Sequence, residues 1–321
     1  MKIFKQGSQN LNYKNKKFKD KKVSVRFLTD YFYREKGHFC MDTTLSFFDF
    51  LRENPQKTEE VLLKLLWGKN PYLIERSTWT LGHLKIKRAI TPLKYIVLDP
   101  KQNMSLRQTA LISLFSLLPI DLDKILLEIF SCPNDLDLKK TAIEQLVWHH
   151  FSESRYHMHV LKHLNSPDRS MRLACYRYIS RFKFKETRDI LQSLLFEEKD
   201  PFMCAEILRT LAKLGISDRK IIQFIFRHLN SKDSYLKSAA TYALGGIQVP
   251  SYRSTITRTL KKQFHVPETQ RAAIEVMGTL KTAPKSLISK IKKLKHAKDP
   301  YLRFTVDHTL RQLESASLLN A

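Results

Sequence analysis

The chain has 321 residues, of which 43% are hydrophobic, and its 56 Lys and Arg residues outnumber its 31 Asp and Glu residues. A hydrophobic fraction this high excludes a disordered basic tail, because it is sufficient for a packed core. The formal net charge of +25 therefore predicts a folded protein with an anionic partner.

Residues 1–41 form a predicted basic arm. Lys and Arg greatly outnumber the single acid, Asp20, in residues 1–26, and a short helix is predicted from about Val23 to Tyr33. The run KNKKFKDKK at 14–22 has two interpretations, a set of solvated lysines or a nuclear address. The chain begins without an apolar segment of signal-peptide length, and none of its apolar runs is long enough to span a membrane. We therefore expect a soluble protein.

The cysteines indicate a reducing compartment. Cys40, Cys132, Cys175 and Cys204 are scattered and form no CxxC pair, so the sequence predicts neither a disulfide framework nor a zinc site. Together with the absence of a leader, this pattern predicts a cytoplasmic location.

From residue 70 onward the sequence repeats with a period of 32 or 33 residues, which is typical of stacked repeats. One large apolar residue marks each repeat: Leu81, Leu114, Leu146, Ile179, Leu211, Leu244, Met277 and Leu310. Each repeat is predicted as two helices, here called the first and second helix, separated by polar or Pro-containing turns. The pattern predicts an all-α, right-handed α-solenoid of about eight helix pairs over residues 70–314. Residues 42–69 form a degenerate first repeat and 315–321 a C-terminal tail.

The repeat resembles a known family. Its Asp-Pro opening at Asp200-Pro201, its central alanines such as Ala239 and Ala240, and its Ala-Leu-Gly ending at 243–245 are similar to the HEAT-like repeat named after phycobilisome lyases. The resemblance implies that the second helices line a concave face. It implies no single activity, since such repeats occur in scaffolds, lyases, hydroxylases and nucleic-acid enzymes.

Charge is divided unequally between the two helix layers. The first helices are nearly neutral in sum, whereas the second helices are strongly basic, increasingly so toward the C-terminus. Helical phase places their cations opposite the apolar stripe, which predicts a surface that follows a phosphate backbone, with one aromatic ring that stacks on a base. The alternative is that these lysines serve solubility alone. The predicted binding residues are Arg155, Lys162, Lys220, Phe224, Arg227, Arg258, Lys261, Lys262, Lys285, Lys292 and Lys293.

A second cationic column lies in the first helices. It consists of Arg107, Lys139, Arg172, Lys237 and Arg303. Because these residues share one register, we interpret the column as a structural ladder that pairs with carbonyl groups or acids of the adjoining turns.

Catalytic and metal-binding patterns are largely missing from the sequence. His157, His159 and His163 lack a further ligand at suitable spacing, and the His-Glu pairs of HEAT-like deoxyhypusine hydroxylases do not occur. Trp79 and Trp148 are predicted to be core residues, which weakens a resemblance to HEAT-like alkylpurine DNA glycosylases. We therefore predict no catalytic residues, no metal and no cofactor.

These observations favour a non-enzymatic binding protein whose basic face holds a polyanion, foremost a nucleic acid contacted through its phosphates. Two alternatives remain open. One is a scaffold for an acidic protein or peptide, and the other is an enzyme of the alkylpurine DNA glycosylase or phycobilin lyase type.

Overall fold

The computed structural model describes the backbone of residues 18, 21–34 and 41–318, and the side chains of residues 18, 21–33 and 46–315. Most of the predicted basic arm, Cys40 and residues 319–321 lie outside this part. Residue contacts divide the chain into two compact units, the N-terminal unit Met1–His159 and the C-terminal unit Val160–Ala321.

The N-terminal unit consists of helix pairs preceded by one helix. Its helices are α1 (Val25–Arg34), α2 (Met41–Glu53), α3 (Pro55–Leu66), α4 (Pro71–His83), α5 (Ile90–Leu98), α6 (Met104–Leu117), α7 (Leu122–Ser131) and α8 (Leu136–Trp148). The boundary between the two units falls within α9 (Ser154–Leu161). The first helices α4, α6 and α8 pack on one another in sequence, and α3, α5 and α7 each pack on the first helix that follows. Helix α1 covers α3 and α4.

The C-terminal unit repeats the same arrangement. Its helices are α10 (Arg169–Phe182), α11 (Arg188–Glu197), α12 (Pro201–Leu214), α13 (Arg219–His228), α14 (Ser234–Ala243), α15 (Arg253–Gln263), α16 (Pro267–Thr279), α17 (Lys285–Lys293) and α18 (Pro300–Leu318). First helices α10, α12, α14, α16 and α18 pack successively, and the second helices α11, α13, α15 and α17 each pack on the next first helix. The predicted all-α architecture of helix pairs is confirmed. Among the described residues the only β-type pairing is a bridge between Ile216 and Ile247.

The repeated apolar column forms the centre of both units. All eight of its members, from Leu81 to Leu310, are 3% exposed or less. The central alanines are buried as well, which lets successive first helices approach closely. At Gly82 the approach is close: a Cβ atom there would lie 2.7 Å from Cα of Ser113, so a larger side chain does not fit.

Helix ends follow the polar residues of the turns. The side chains of Asn70, Asp168, Asp200 and Asp233, among others, accept hydrogen bonds from backbone N–H groups in the first turn of the following helix. The turn from first to second helix, here called the A–B turn, contains a left-handed residue in most repeats. These residues are Lys85, Leu118, His150, Lys183, Gly215 and Lys281, with φ between 49° and 89°.

The predicted structural ladder is confirmed for its arginines. Arg107 donates to the carbonyl of Val97 at 2.8 Å, Arg172 to that of Ser166 at 2.9 Å, and Arg303 to that of Ala297 at 2.7 Å. Lys139 is buried and Lys237 half-buried. The arginines of this column therefore connect α6, α10 and α18 to the segment that precedes each of these helices.

Candidate polyanion-binding surface

The last three second helices contain cations and no carboxylates. Their sequences are RKIIQFIFRH in α13, RSTITRTLKKQ in α15 and KSLISKIKK in α17. The corresponding helices of the N-terminal unit are mixed or nearly uncharged, since α7 carries Asp123, Lys124 and Glu128, and α5 has Lys94 alone. The positive charge of the second-helix layer is thus concentrated in the C-terminal unit.

Packing orients these cations toward solvent. Ile222 and Ile225 of α13, Leu260 of α15, and Leu287 and Ile291 of α17 are buried, as the helical phase predicts. The basic side chains occupy the remaining faces and are exposed: Lys220 and Arg227 on α13, Arg258, Lys261 and Lys262 on α15, and Lys285, Lys292 and Lys293 on α17. We call these eight residues the basic surface. Within the described part of the chain, none of them forms a salt bridge.

Two predicted binding residues lie apart from the basic surface. Arg155 belongs to the N-terminal unit, where it pairs with Asp123 at 3.2 Å and also with Glu153, so its charge is already balanced. Lys162 belongs to the C-terminal unit and is exposed. It lies in the turn directly after α9, not on a helix.

Phe224 was predicted to be exposed and to stack on a base, and that role stays a prediction. Its ring is half-buried, stacks on His228 with ring centroids 4.0 Å apart, and meets the edge of Phe196 at 6.0 Å. One face is therefore covered by a residue of the same helix. His159 is half-buried and stacks on Phe130 with ring centroids 5.2 Å apart.

The first-helix face of the C-terminal unit carries a feature that the sequence analysis missed. The guanidinium of Arg169 lies over the Phe202 ring at 4.6 Å, Phe202 contacts Tyr235 at 5.1 Å, and Arg209 lies over Tyr235 at 5.0 Å. We call these four residues the aromatic–arginine row. Phe202 and Tyr235 share one register of the repeat, and that was the signal available in the sequence.

Charged residues near Lys213 and Tyr242 add to this first-helix face. Burial lowers the pKa of Lys213, with Glu275 opposing the shift and Arg181 adding to it. Burial also raises the pKa of Tyr242, with Glu275 as a further cause. Cations, carboxylates and aromatic rings are thus interleaved here, in contrast to the acid-free basic surface.

The predicted core positions of two tryptophans are wrong. Trp148 is 77% exposed at the end of α8. Trp79 is half-buried and lines a cavity of about 450 Å³ with Tyr72, Glu75 and Arg76. The Glu75 carboxylate accepts a hydrogen bond from Ser105 at 2.8 Å.

The described residues contain no group of three His, Cys, Asp or Glu side chains placed to hold a metal. Burial raises the pKa of the Cys175 thiol to about 12 and that of Cys204 to about 11. Both thiols therefore stay protonated, and a protonated thiol is a poor nucleophile. No helix among the described residues is both long and apolar enough to cross a membrane.

Comparison with known proteins identifies the repeat. Residues 158–245 match the family model for HEAT repeats, which confirms the predicted HEAT-like repeat in that part of the chain. A search of curated proteins gives no match.

Two solved structures are similar to this chain at low identity. One comes from the complex of CpcE and CpcF of phycocyanin lyase from Nostoc sp. PCC7120, with a TM-score of 0.44, 14% identity, and coverage of 80% of this chain and 94% of the other. The second is human deoxyhypusine hydroxylase in complex with glycerol, with a TM-score of 0.29, 13% identity, and coverage of 91% and 97%.

Proposed function

We propose that this HEAT-like repeat protein is a non-enzymatic binding protein that holds a nucleic acid through phosphate contacts on the basic surface of its C-terminal unit. The observation that carries the proposal is the absence of any Asp or Glu from three successive second helices, α13, α15 and α17. Cations placed for solubility alone would be mixed with carboxylates, as they are on α7.

The energetics of such a surface favour a polymer over a small anion. Exposed lysines contribute little individually, but each phosphate that they neutralise releases condensed counterions from a nucleic acid. Packed helices lie roughly 8–10 Å apart, so cations on consecutive second helices meet successive stretches of one backbone. Recognition through phosphates alone implies weak sequence preference.

The test is the salt dependence of binding. The protein is purified without nuclease, its absorbance ratio at 260 and 280 nm is read, and its affinity for a labelled duplex is measured across a range of salt concentrations. If about six phosphates are contacted, log K should fall against log salt with a slope near −5. An affinity independent of salt, or no binding at low salt, would rule out the proposal.

A second candidate is a scaffold for an acidic protein, and the aromatic–arginine row favours it. Tyr, Phe and Arg are enriched in protein interfaces, whereas Lys is depleted, so the row has the composition of a docking site and the basic surface does not. An acidic peptide is the appropriate probe. If the peptide binds with an affinity that Tyr235→Ala weakens and Lys292→Glu leaves unchanged, while the duplex does not bind, the scaffold function replaces the nucleic-acid function.

A further inference from the structure

A cavity of about 430 Å³ lies at the A–B turn of the N-terminal unit, between the start of α3 and the turn that joins α4 to α5. Its lining combines apolar side chains, including Leu51, Leu84 and Ile86, with the cations Arg52, Lys85, Lys87 and Arg88. Its volume is in the range of small-molecule sites. The basic surface belongs to the other unit and takes no part in it.

The charge of this cavity is strongly positive. Glu59 is its single lining carboxylate, and Arg88 pairs with that carboxylate at 2.7 Å. Arg52 pairs with Asp49 at 3.0 Å. Lys85 and Lys87 are exposed, and neither forms a salt bridge within the described residues. Two ammonium groups at the rim are therefore available to an anion.

Lys85 has a backbone conformation that does not suit a lysine. Its φ of 55° lies in the left-handed region, where a Cβ atom is unfavourable and glycine is preferred at the end of a helix. Gly215 fills the corresponding turn of the C-terminal unit with φ of 89°. Lys183 and Lys281 have the same conformation at their own A–B turns, so the strain is a property of the turn. Lys85 lines this cavity beside Arg52, Lys87 and Arg88.

The C-terminal unit has a cavity at the equivalent turn, and comparing the two shows which features follow from the repeat and which from the lining residues. It measures about 420 Å³, and its residues Ser254, Leu280 and Thr282 share the repeat register of Thr58, Leu84 and Ile86. Its only cation is Arg253. The cavity shape therefore follows from the repeat. Lys281 has the register of Lys85, so the N-terminal cavity differs from this one in Lys87 and Arg88, whose register positions hold Ala283 and Pro284.

From these observations we infer that the N-terminal cavity binds a small organic phosphate. Lys85 and Lys87 hold the phosphate group, and the apolar part of the ligand lies on Leu51, Leu84 and Ile86. Charge-assisted hydrogen bonds from ammonium groups to phosphate oxygens supply the polar part of the affinity, and burial of the apolar part supplies the remainder.

The inference is tested by calorimetric titration of the full chain with phenyl phosphate. Phenol, which lacks the charge, and inorganic phosphate, which lacks the apolar part, are the comparison probes, and both should bind more weakly. Lys85→Gly should weaken phenyl phosphate binding about tenfold through the lost ion pair, while raising the melting temperature because the strain at this turn is relieved. Leu118→Gly is the matched control, since Leu118 has the same conformation one repeat later with no cation. It should raise the melting temperature and leave the affinity unchanged.

A second variant, Lys87→Gln, removes the other ammonium without altering a left-handed residue, and it should also weaken binding about tenfold. Equal affinity of the wild type, Lys85→Gly and Lys87→Gln for phenyl phosphate would overturn the inference. So would displacement of phenyl phosphate by an excess of duplex, because the cavity would then hold a phosphate of the polymer. Charge reversal on the basic surface should leave phenyl phosphate binding intact, which separates this inference from the proposed function.

Discussion

Arg107 and Asp135 form a two-point ion pair between successive repeats. Nη1 and Nη2 of Arg107 donate to Oδ1 and Oδ2 of Asp135 at 2.9 and 2.6 Å, and the arginine side chain is only 5% exposed. Its Nε donates to the carbonyl of Val97. Since Asp135 immediately precedes α8, one guanidinium connects α6, the end of α5 and the start of α8. A cation buried in this way is structural rather than available to a ligand.

Replacing Arg107 by Met should lower the free energy of unfolding by about 3 kcal/mol, because Asp135 and the Val97 carbonyl lose their partner in a mostly buried site. Urea unfolding measures the effect. The control is Arg177→Met on α10, where the side chain is exposed. Its effect should stay within about 0.5 kcal/mol. Equal losses for the two variants would contradict the structural role of Arg107.

Acid should weaken the same contact. The hydrogen bonds from Arg107 hold the pKa of Asp135 below its ordinary value of 3.8. The contribution of the pair is therefore fully present above the unfolded-state pKa and is lost as the pH falls through the lower folded-state value. The difference in unfolding free energy between the wild type and Arg107→Met should be constant from pH 6 to pH 5 and should shrink below about pH 4. A difference that grows in acid would contradict the pairing.

The sequence predicted the repeat, the buried column and the ladder because each depends only on position within a period. All eight column residues are buried, and the arginines of the ladder contact carbonyl groups of the turns. Individual side-chain contacts are a different matter. The stacking of Phe224 on His228 and the exposure of Trp148 depend on the sizes of neighbouring side chains, and periodicity carries no information about those. The left-handed lysines were missed for a related reason, since glycine is the usual signal for that conformation.

Close packing between the turn that follows α14 and helix α12 leaves no room for a side chain at Gly246. A Cβ atom there would lie 2.5 Å from backbone atoms of Ala212, which cannot move without shifting α12. Gly246→Ala should therefore lower the free energy of unfolding by about 2–3 kcal/mol or more. The neighbouring Gly245 offers a matched control, because a Cβ atom there would meet only the Val276 side chain at 3.2 Å. Denaturant unfolding of the two variants should show a clearly smaller loss for Gly245→Ala.

Relief of left-handed strain should stabilise the C-terminal unit. Lys183 has φ of 58° at the end of α10, and glycine adopts that conformation without a steric penalty. Lys183→Gly should raise the free energy of unfolding by about 1 kcal/mol, whereas Lys183→Val should lower it, because a β-branched side chain is least tolerated there. Thermal unfolding distinguishes the two. A stabilising Lys183→Val would show that charge, rather than backbone strain, governs this turn.

Charge reversal on the basic surface is the sharpest test of nucleic-acid binding. The four substitutions Lys261→Glu, Lys262→Glu, Lys292→Glu and Lys293→Glu should together lower duplex affinity about a thousandfold at 0.1 M salt, since each lost phosphate contact removes nearly one unit from the salt slope. The melting temperature should not fall, because all four side chains are exposed and unpaired among the described residues. A control with the same change in net charge reverses four exposed lysines of the N-terminal unit, Lys64, Lys69, Lys101 and Lys124. That control should lower affinity only modestly and leave the salt slope unchanged, because long-range charge acts on encounter more than on contact. If both sets lower affinity and slope equally, net charge alone governs binding and the basic surface has no special role.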